Sequence, residues 1–523
     1  MKKISILNII LIASLTLTSC SEDYLDINTS PTNPSSETVT PDLTLAGALT
    51  TPNDNADING RFSPLSANAN ELGAIFMSNW ASNVNSFAGG YSDEFRLTLT
   101  NSFHASIWDN TYEGLATTQA IIDYDSDNYD NHKAIARINK TFYFQYLVDL
   151  YGDIPYFEAL QRGDNYYPTY DDAQTIYRDL IDQLDLAITE INDANSEDVS
   201  VGAEDVVFNG DLSRWIQFAN TLKLRILLRQ SEMADGETAS YLSSQFQNLE
   251  NNFLLSDSFI NPGYTNSQGK QNPFYEIFAF DANGTPAQNL NSIVGADYAV
   301  EFLKGNQPNN PNLSETIATG IFDSRVERIY KPLAENNPAI PTPGEVIGVV
   351  QGYNSSQAPD FLSNLGEGLL KDSSQNLYLI TAAESYFLQS EAVLKGYVSG
   401  DAKSLFEQGI RSSFDILGIP EDADSYIQNS NNSNLIGWDG SANKLEAIMT
   451  QKWIALNGFN GIESWIEYTR TGYPQVPLAT IAQQNSKPVR LLYPSSEYSS
   501  NAANVPNQSQ NAAFDTPIFW GVN

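Results

Sequence analysis

Apolar positions recur every three to four residues in several stretches of this chain, the spacing of a helix that buries one face. Ile135, Ile138, Phe142, Tyr146 and Leu150 form one stripe, and Ile176, Leu180, Leu184, Ile188 and Ile191 form a second. Thr169 and Asp172 stand ahead of the second as a capping-box arrangement, which would satisfy free amides at a helix start. Trp215, Phe218, Leu222 and Ile226 give a third stripe, on which Lys223, Arg225 and Arg229 concentrate positive charge. That basic cluster is read as pairing with acidic neighbours of the fold rather than with a bound anion. The longest signal runs from Leu377 to Leu417, where small and apolar residues alternate along two helical stretches separated by Gly396 to Gly400. The chain is expected to fold back there as an antiparallel helix pair. A last helix is predicted over Lys444 to Leu456.

The spacing of Ala383, Phe387, Ala392, Ala402, Phe406 and Gly409 is similar to that of a tetratricopeptide unit, in which small side chains let two helices approach closely. The intervening chain differs in kind. Residues 52 to 111, 256 to 375, 421 to 442 and 473 to 523 are rich in Asn, Gly, Ser and Pro, with scattered aromatics and little periodicity. Their aromatic content argues for ordered loops, because disordered segments are poor in aromatics. The expected architecture is mostly α: one helical scaffold, spanning 41–523 as a single domain, with long insertions gathered on one face.

The N-terminus has its own logic. Lys2 and Lys3 precede an apolar run from Ile4 to Leu17, which is short for a membrane span and suited to an export signal over residues 1–19. It ends in Leu17-Thr18-Ser19-Cys20, which resembles the lipobox of bacterial lipoproteins, and Cys20 is the chain's one cysteine. Cys20 is therefore expected to be acylated as the mature first residue, since several acyl chains at about 0.8 kcal/mol per buried CH₂ hold a folded domain on a membrane. Residues 20–40 are polar and interrupted by Pro31 and Pro34, which reads as a tether.

Composition narrows the chemistry. Among 523 residues, 63 are acidic and 27 basic, and the net charge of −36 repels nucleic acid and other polyanions. His104 and His132 are the only histidines, and neither lies in an HExxH or Cys/His spacing or beside a GxSxG elbow. Zinc chemistry and Ser/His/Asp catalysis are disfavoured, and no cofactor motif is present. An oxygen-rich calcium site would need only loop carboxylates and carbonyls and is left open.

Several segments together resemble one known group. The start CSEDYLDINTSPTNP, the run YGDIPYFEAL, the helix RWIQFANTLKLRILLR, the helix LYLITAAESYFLQSEAVLKG and the segment KWIALNGFNGIESWIEYTRTGYP resemble the SusD/RagB family of nutrient-binding outer-membrane lipoproteins of Bacteroidetes. The loop FMSNWASNVNSF, followed by YSDEFRLT, is similar to the SusD-like branch. The resemblance implies a SusD-like fold with four tetratricopeptide-like helix pairs, lipid-anchored at the cell surface. It implies a lid on a SusC-like TonB-dependent β-barrel, capture of oligosaccharide, and no catalytic activity. Ser21, Glu22 and Asp23 are similar to the signal that sends such lipoproteins to the outer leaflet.

A neutral glycan offers C–H faces and hydroxyl edges, so its site needs an aromatic platform ringed by polar side chains. Trp80 is the first candidate, with Asn79, Ser82, Asn83 and Asn85 beside it and Phe87 and Tyr91 in the same segment. Core packing is the alternative for Trp80; loop composition and the resemblance favour ligand contact. Asp93 and Glu94 are candidate acceptors of sugar hydroxyls, while Trp108 is assigned to the core. A second surface holds Tyr264, Phe274, Tyr275 and Tyr353, and Asp323 with Arg325 is read as a structural ion pair. Two rival functions stay open. One is a surface glycoside hydrolase with a carboxylate pair 5 to 10 Å apart, as such enzymes roughly need; the other is a scaffold that binds protein partners only.

Overall fold

The computed structural model describes residues 39–50, 67–83, 90–161, 163, 165–233, 236–335, 338–340, 342–353 and 359–521. The 1–19 segment, Cys20, nearly all of the 20–40 tether, Asn85 and Phe87 lie outside the described residues. Consecutive helices pack as four pairs: Ser106–Ile122 with Asp130–Tyr151, Ala173–Asp193 with Leu212–Arg229, Ala382–Leu394 with Ala402–Ile416, and Lys444–Leu456 with Gly461–Thr471. The stripes read from the sequence lie in the first three, where the Ser106–Ile122 helix is an addition to them, and Gly409 explains why the third is so close. A Cβ on Gly409 would stand 2.7 Å from the Phe387 ring, so only glycine fits beneath that ring. Side chains cap the starts: Asp172, Asp211, Thr381, Asp401, Asn443 and Asn460 each accept a backbone N–H of the first turn. The expected capping box is corrected in one respect. Asp172 alone caps its helix, whereas the Thr169 hydroxyl and N–H both donate to Glu158.

The predicted basic cluster pairs inside the fold. Lys223 reaches Asp185 at 2.6 Å, Arg225 reaches Glu384 at 2.9 Å, and Arg229 bonds Glu463 and Glu467 at 2.7 Å each. Lys452 joins Glu467 at 2.9 Å, and Arg470 links Glu467 to Glu391. Buried apart from the exposed Asp185, these ions tie the Leu212–Arg229, Ala382–Leu394, Lys444–Leu456 and Gly461–Thr471 helices into one block. Burial works against the charged form of Glu467, yet Arg470, Lys452 and Arg229 outweigh it and hold this carboxyl well below the usual range. Asp149, at the edge of the network, is instead pushed up to about 6 by burial.

The long intervening segments are ordered where described, and they are less loop-like than expected. Ala67–Phe76 is a helix, and short helices occur at Pro273–Phe278 and Asp297–Leu303. Two antiparallel strand pairs join distant parts of the chain: Trp80–Ser82 with Ile293–Gly295, and Phe259–Ile260 with Leu377–Tyr378. Among the described residues no helix is long and apolar enough to cross a membrane.

Candidate functional site

The Ala67–Phe76 helix seats the Trp80 segment on the scaffold. A Cβ on Gly73 would fall 2.1 Å from the Gly461 backbone, and the Asn70 amide bridges the contact. It donates to the Gly458 carbonyl at 3.1 Å and accepts from the Gly461 N–H at 2.7 Å. The chain then turns sharply at Ser78 into the Trp80–Ser82 strand. Ser78, Tyr91, Leu97 and His104 all have positive φ, between 48° and 58°, and this is most of the strained non-glycine backbone among the described residues. Such strain persists only where surrounding contacts over-determine it, and it concentrates at functional segments.

Trp80 is a core residue, which corrects its candidacy as a sugar platform. It is 0% exposed, its Nε1 donates to Asn457 Oδ1 at 3.2 Å, and Phe278 lies edge-on at 5.5 Å. The polar neighbours that suggested a ligand loop also face inward. Asn83 is buried and its N–H donates to the Ser292 carbonyl at 2.7 Å, and the Asn79 carbonyl accepts from Tyr330. Among the described residues the buried Asn79 side-chain amide has no hydrogen-bond partner, a costly arrangement. Tyr91 is buried as well, its hydroxyl donating to Glu71. Burial pushes the Glu71 carboxyl up to about 7, against the lowering effect of that hydrogen bond and of His104. Glu94 bonds His104 at 2.9 Å, and Asp93 is exposed.

The second predicted surface converges on the same place. Tyr275 is half-buried on the Pro273–Phe278 helix, which the Asn272 side chain caps and whose Phe278 packs on Trp80. Tyr353 is 49% exposed, two residues beyond Gln351, whose amide donates to the carbonyls of Ile75 and Trp80 at 2.8 and 2.7 Å. Trp80 is thus the keystone under which the Tyr275 and Tyr353 segments meet, and Tyr353 with Phe280 (37% exposed) offers the open rings. Trp108 is buried, as expected, and Asp323 with Arg325 forms a buried pair at 2.6 Å beneath Phe414 and Tyr426.

Two features escaped the sequence reading. Behind Trp80 lies a slot lined by Phe274, Leu369, Leu377, Tyr378 and Phe459, with Lys371, Gln375 and Asn376 at hand. Elsewhere, Tyr166 and Tyr167 are 72% and 66% exposed, and the adjoining Pro168 lines a depression with Trp108, Tyr112 and Glu497. The doublet Tyr166-Tyr167 is a visible signal in the sequence, six residues beyond the YGDIPYFEAL run that carries the family resemblance. Among the described residues no group of three or more His, Cys, Asp or Glu side chains is placed to hold a metal ion.

Residues 49–494 match the family described as SusD-like, starch-binding and associating with the outer membrane. No curated protein matches the chain. Among solved structures, a chitin-binding SusD homologue from Flavobacterium johnsoniae is similar at TM-score 0.71 and 22% identity, over 92% of this chain and 99% of that one. A SusD homologue from Bacteroides vulgatus gives TM-score 0.72 at 22% identity over 92% and 97%. A SusD-like protein from Bacteroides thetaiotaomicron gives 0.70 at 23% over 92% and 99%. At these identities the likeness is one of fold.

Proposed function

The chain belongs to the SusD-like family, and from that premise we propose that it is a cell-surface lipoprotein that captures oligosaccharide and passes it to a SusC-like TonB-dependent β-barrel. The observation that carries this reading is the family match, which spans all four helix pairs. In this reading residues 1–19 are removed on export, Cys20 carries the acyl chains, 20–40 is the tether and 41–523 is the binding domain. The ligand is a neutral glycan, because the net charge of −36 opposes uronate-rich or sulfated chains. Two solved relatives named as chitin-binding support a glycan over a peptide. Tyr353 and Tyr275 supply ring faces, and the exposed Asp93 accepts from sugar hydroxyls.

Glycan is held without cleavage. Glu71 has the raised carboxyl of a general acid, but its hydrogen bond with Tyr91 gives it a structural task. Affinity electrophoresis against starch, laminarin, mannan and glycol chitin tests the reading. Retardation by at least one polymer, with no reducing ends released, is expected. No retardation by any of them, or release of reducing ends, overturns it.

A further inference from the structure

The slot behind Trp80 has a chemistry unlike the open face beside it. Its walls are buried: Phe274 and Phe459 are each 5% exposed, Leu369 3% and Leu377 2%. Tyr378 and Phe459 stand edge to face at 5.5 Å. The room for the centre of a water-sized group is about 20 Å³, enough for one small substituent and far too little for a sugar ring. Polar groups stand at its more exposed side. The Lys371 ammonium gives one proton to the Ile416 carbonyl at 2.7 Å and has two more to offer, and Asn376 and the Tyr378 hydroxyl are half-buried beside it. The Gln375 side chain is occupied at both ends, by the Leu369 carbonyl and the Lys371 N–H.

A sugar hydroxyl pushed onto the apolar floor would lose water without gaining a partner. A methyl group there gains by leaving water for an apolar wall. An acetamido group satisfies both ends of the slot, its methyl on the floor and its carbonyl accepting from Lys371 at the mouth. We propose that the slot lined by Phe274, Leu377 and Phe459 is a subsite for the acetamido group of an N-acetylhexosamine residue. The proposal rests on the glycan-capture reading and narrows its ligand to a neutral amino-sugar polymer. The slot adjoins the candidate site: Trp80 bonds Asn457, the residue before Gly458 and Phe459, and Phe278 packs on both Trp80 and Phe274.

Calorimetry with three β-1,4-linked tetramers, of N-acetylglucosamine, glucose and glucosamine, tests this on the purified full-length protein. The acetylated tetramer should bind at least tenfold tighter than either other. Phe274→Trp, which fills the slot, should bring that ratio near one in protein whose melting curve remains cooperative. Lys371→Met, on an exposed side chain, should lower the ratio several-fold without affecting folding, and it serves alone if Phe274→Trp does not fold. Equal affinities in the wild-type protein, or a preference that survives Lys371→Met unchanged, overturn the subsite. If the acetylated tetramer fails to bind while another glycan is retained, the subsite falls and glycan capture stands; if nothing is retained, both fall.

Discussion

Arg470 and Glu391 meet as a two-point pair, Nη1 to Oε1 and Nη2 to Oε2 each at 2.7 Å, with both side chains fully shielded from solvent. The pair locks the Gly461–Thr471 helix onto Ala382–Leu394, two elements from different helix pairs. Removing one partner strands the other charge in a dry interior, at about 3–5 kcal/mol. Arg470→Met should therefore lower stability by that amount in urea unfolding. Arg470→Met combined with Glu391→Leu should recover a part of it, because the stranded charge is gone. A double variant no more stable than the single one would show that the pair is not the main term.

Trp80 and Tyr353 separate stability from binding. Truncating a fully buried tryptophan costs about 3–5 kcal/mol, so Trp80→Ala should lower the melting temperature sharply. Tyr353 is half-exposed and its ring is open, so Tyr353→Ala should move stability by no more than about 0.5 kcal/mol and weaken glycan retention. Thermal melts paired with affinity electrophoresis give the comparison. A Trp80→Ala protein that melts like the wild type would contradict the keystone role.

Those two residues also show how far the chain could be read in advance. The Ala382–Leu394 and Ala402–Ile416 pair and the Lys444–Leu456 helix were legible, because their small and apolar residues keep the helical period and their breaks carry glycine or a capping Asn. The Gly461–Thr471 helix is hidden from such a reading. It turns Glu463, Glu467 and Arg470 inward to the ionic network, so charge sits where a helical stripe calls for apolar residues. The Trp80 loop misled for the same reason. Asn79, Ser82 and Asn83 look like sugar ligands by type, yet all three are buried, and the Asn79 carbonyl and the Asn83 N–H hold distant backbone segments. Residue type announces hydrogen-bonding capacity, but only the fold says whether the partner is a ligand or the protein itself. Tyr275 and Tyr353 stand out in the sequence as aromatics among Asn, Gln and Gly, and the structure leaves Tyr275 half-buried and Tyr353 exposed.

Glu71 predicts a pH signature at the Tyr91 segment. Its carboxyl is raised from an ordinary 4.5 to about 7, chiefly by burial, so the folded protein binds this proton more tightly than the unfolded chain. Its stabilising contribution is complete below about pH 4.5 and is lost as pH rises through 7. Glu71→Gln keeps an acceptor for the Tyr91 hydroxyl and cannot ionise. The difference in stability between the two proteins should therefore widen in favour of the variant from pH 5 to pH 8, reaching at most about 3 kcal/mol. Asp149, raised to about 6, is common to both curves and cancels in the difference. A constant difference across this range would rule out a Glu71 that titrates near 7.

Lys487 should give the opposite slope. It is buried, its Nζ donates to the Pro477 carbonyl at 3.0 Å, and among the described residues no carboxylate reaches it. The same carbonyl accepts from Ser78, so this lysine braces the strained turn that leads into Trp80. Burial lowers the ammonium from 10.5 to about 7. Folding thus costs the charged form most below pH 7, and the cost fades as pH rises from 7 toward 10, because the unfolded chain then holds the proton that the folded one has released. Lys487→Met keeps the stem and removes the charge, at the loss of one hydrogen bond of about 1 kcal/mol. At pH 6 the variant should be the more stable by up to about 4 kcal/mol, the shift at roughly 1.4 kcal/mol per unit less that bond. Near pH 10 the order should reverse. Urea unfolding at the two pH values reads the crossing directly, and a Lys487→Met protein weaker than wild type at pH 6 would mean that the lysine keeps its charge solvated.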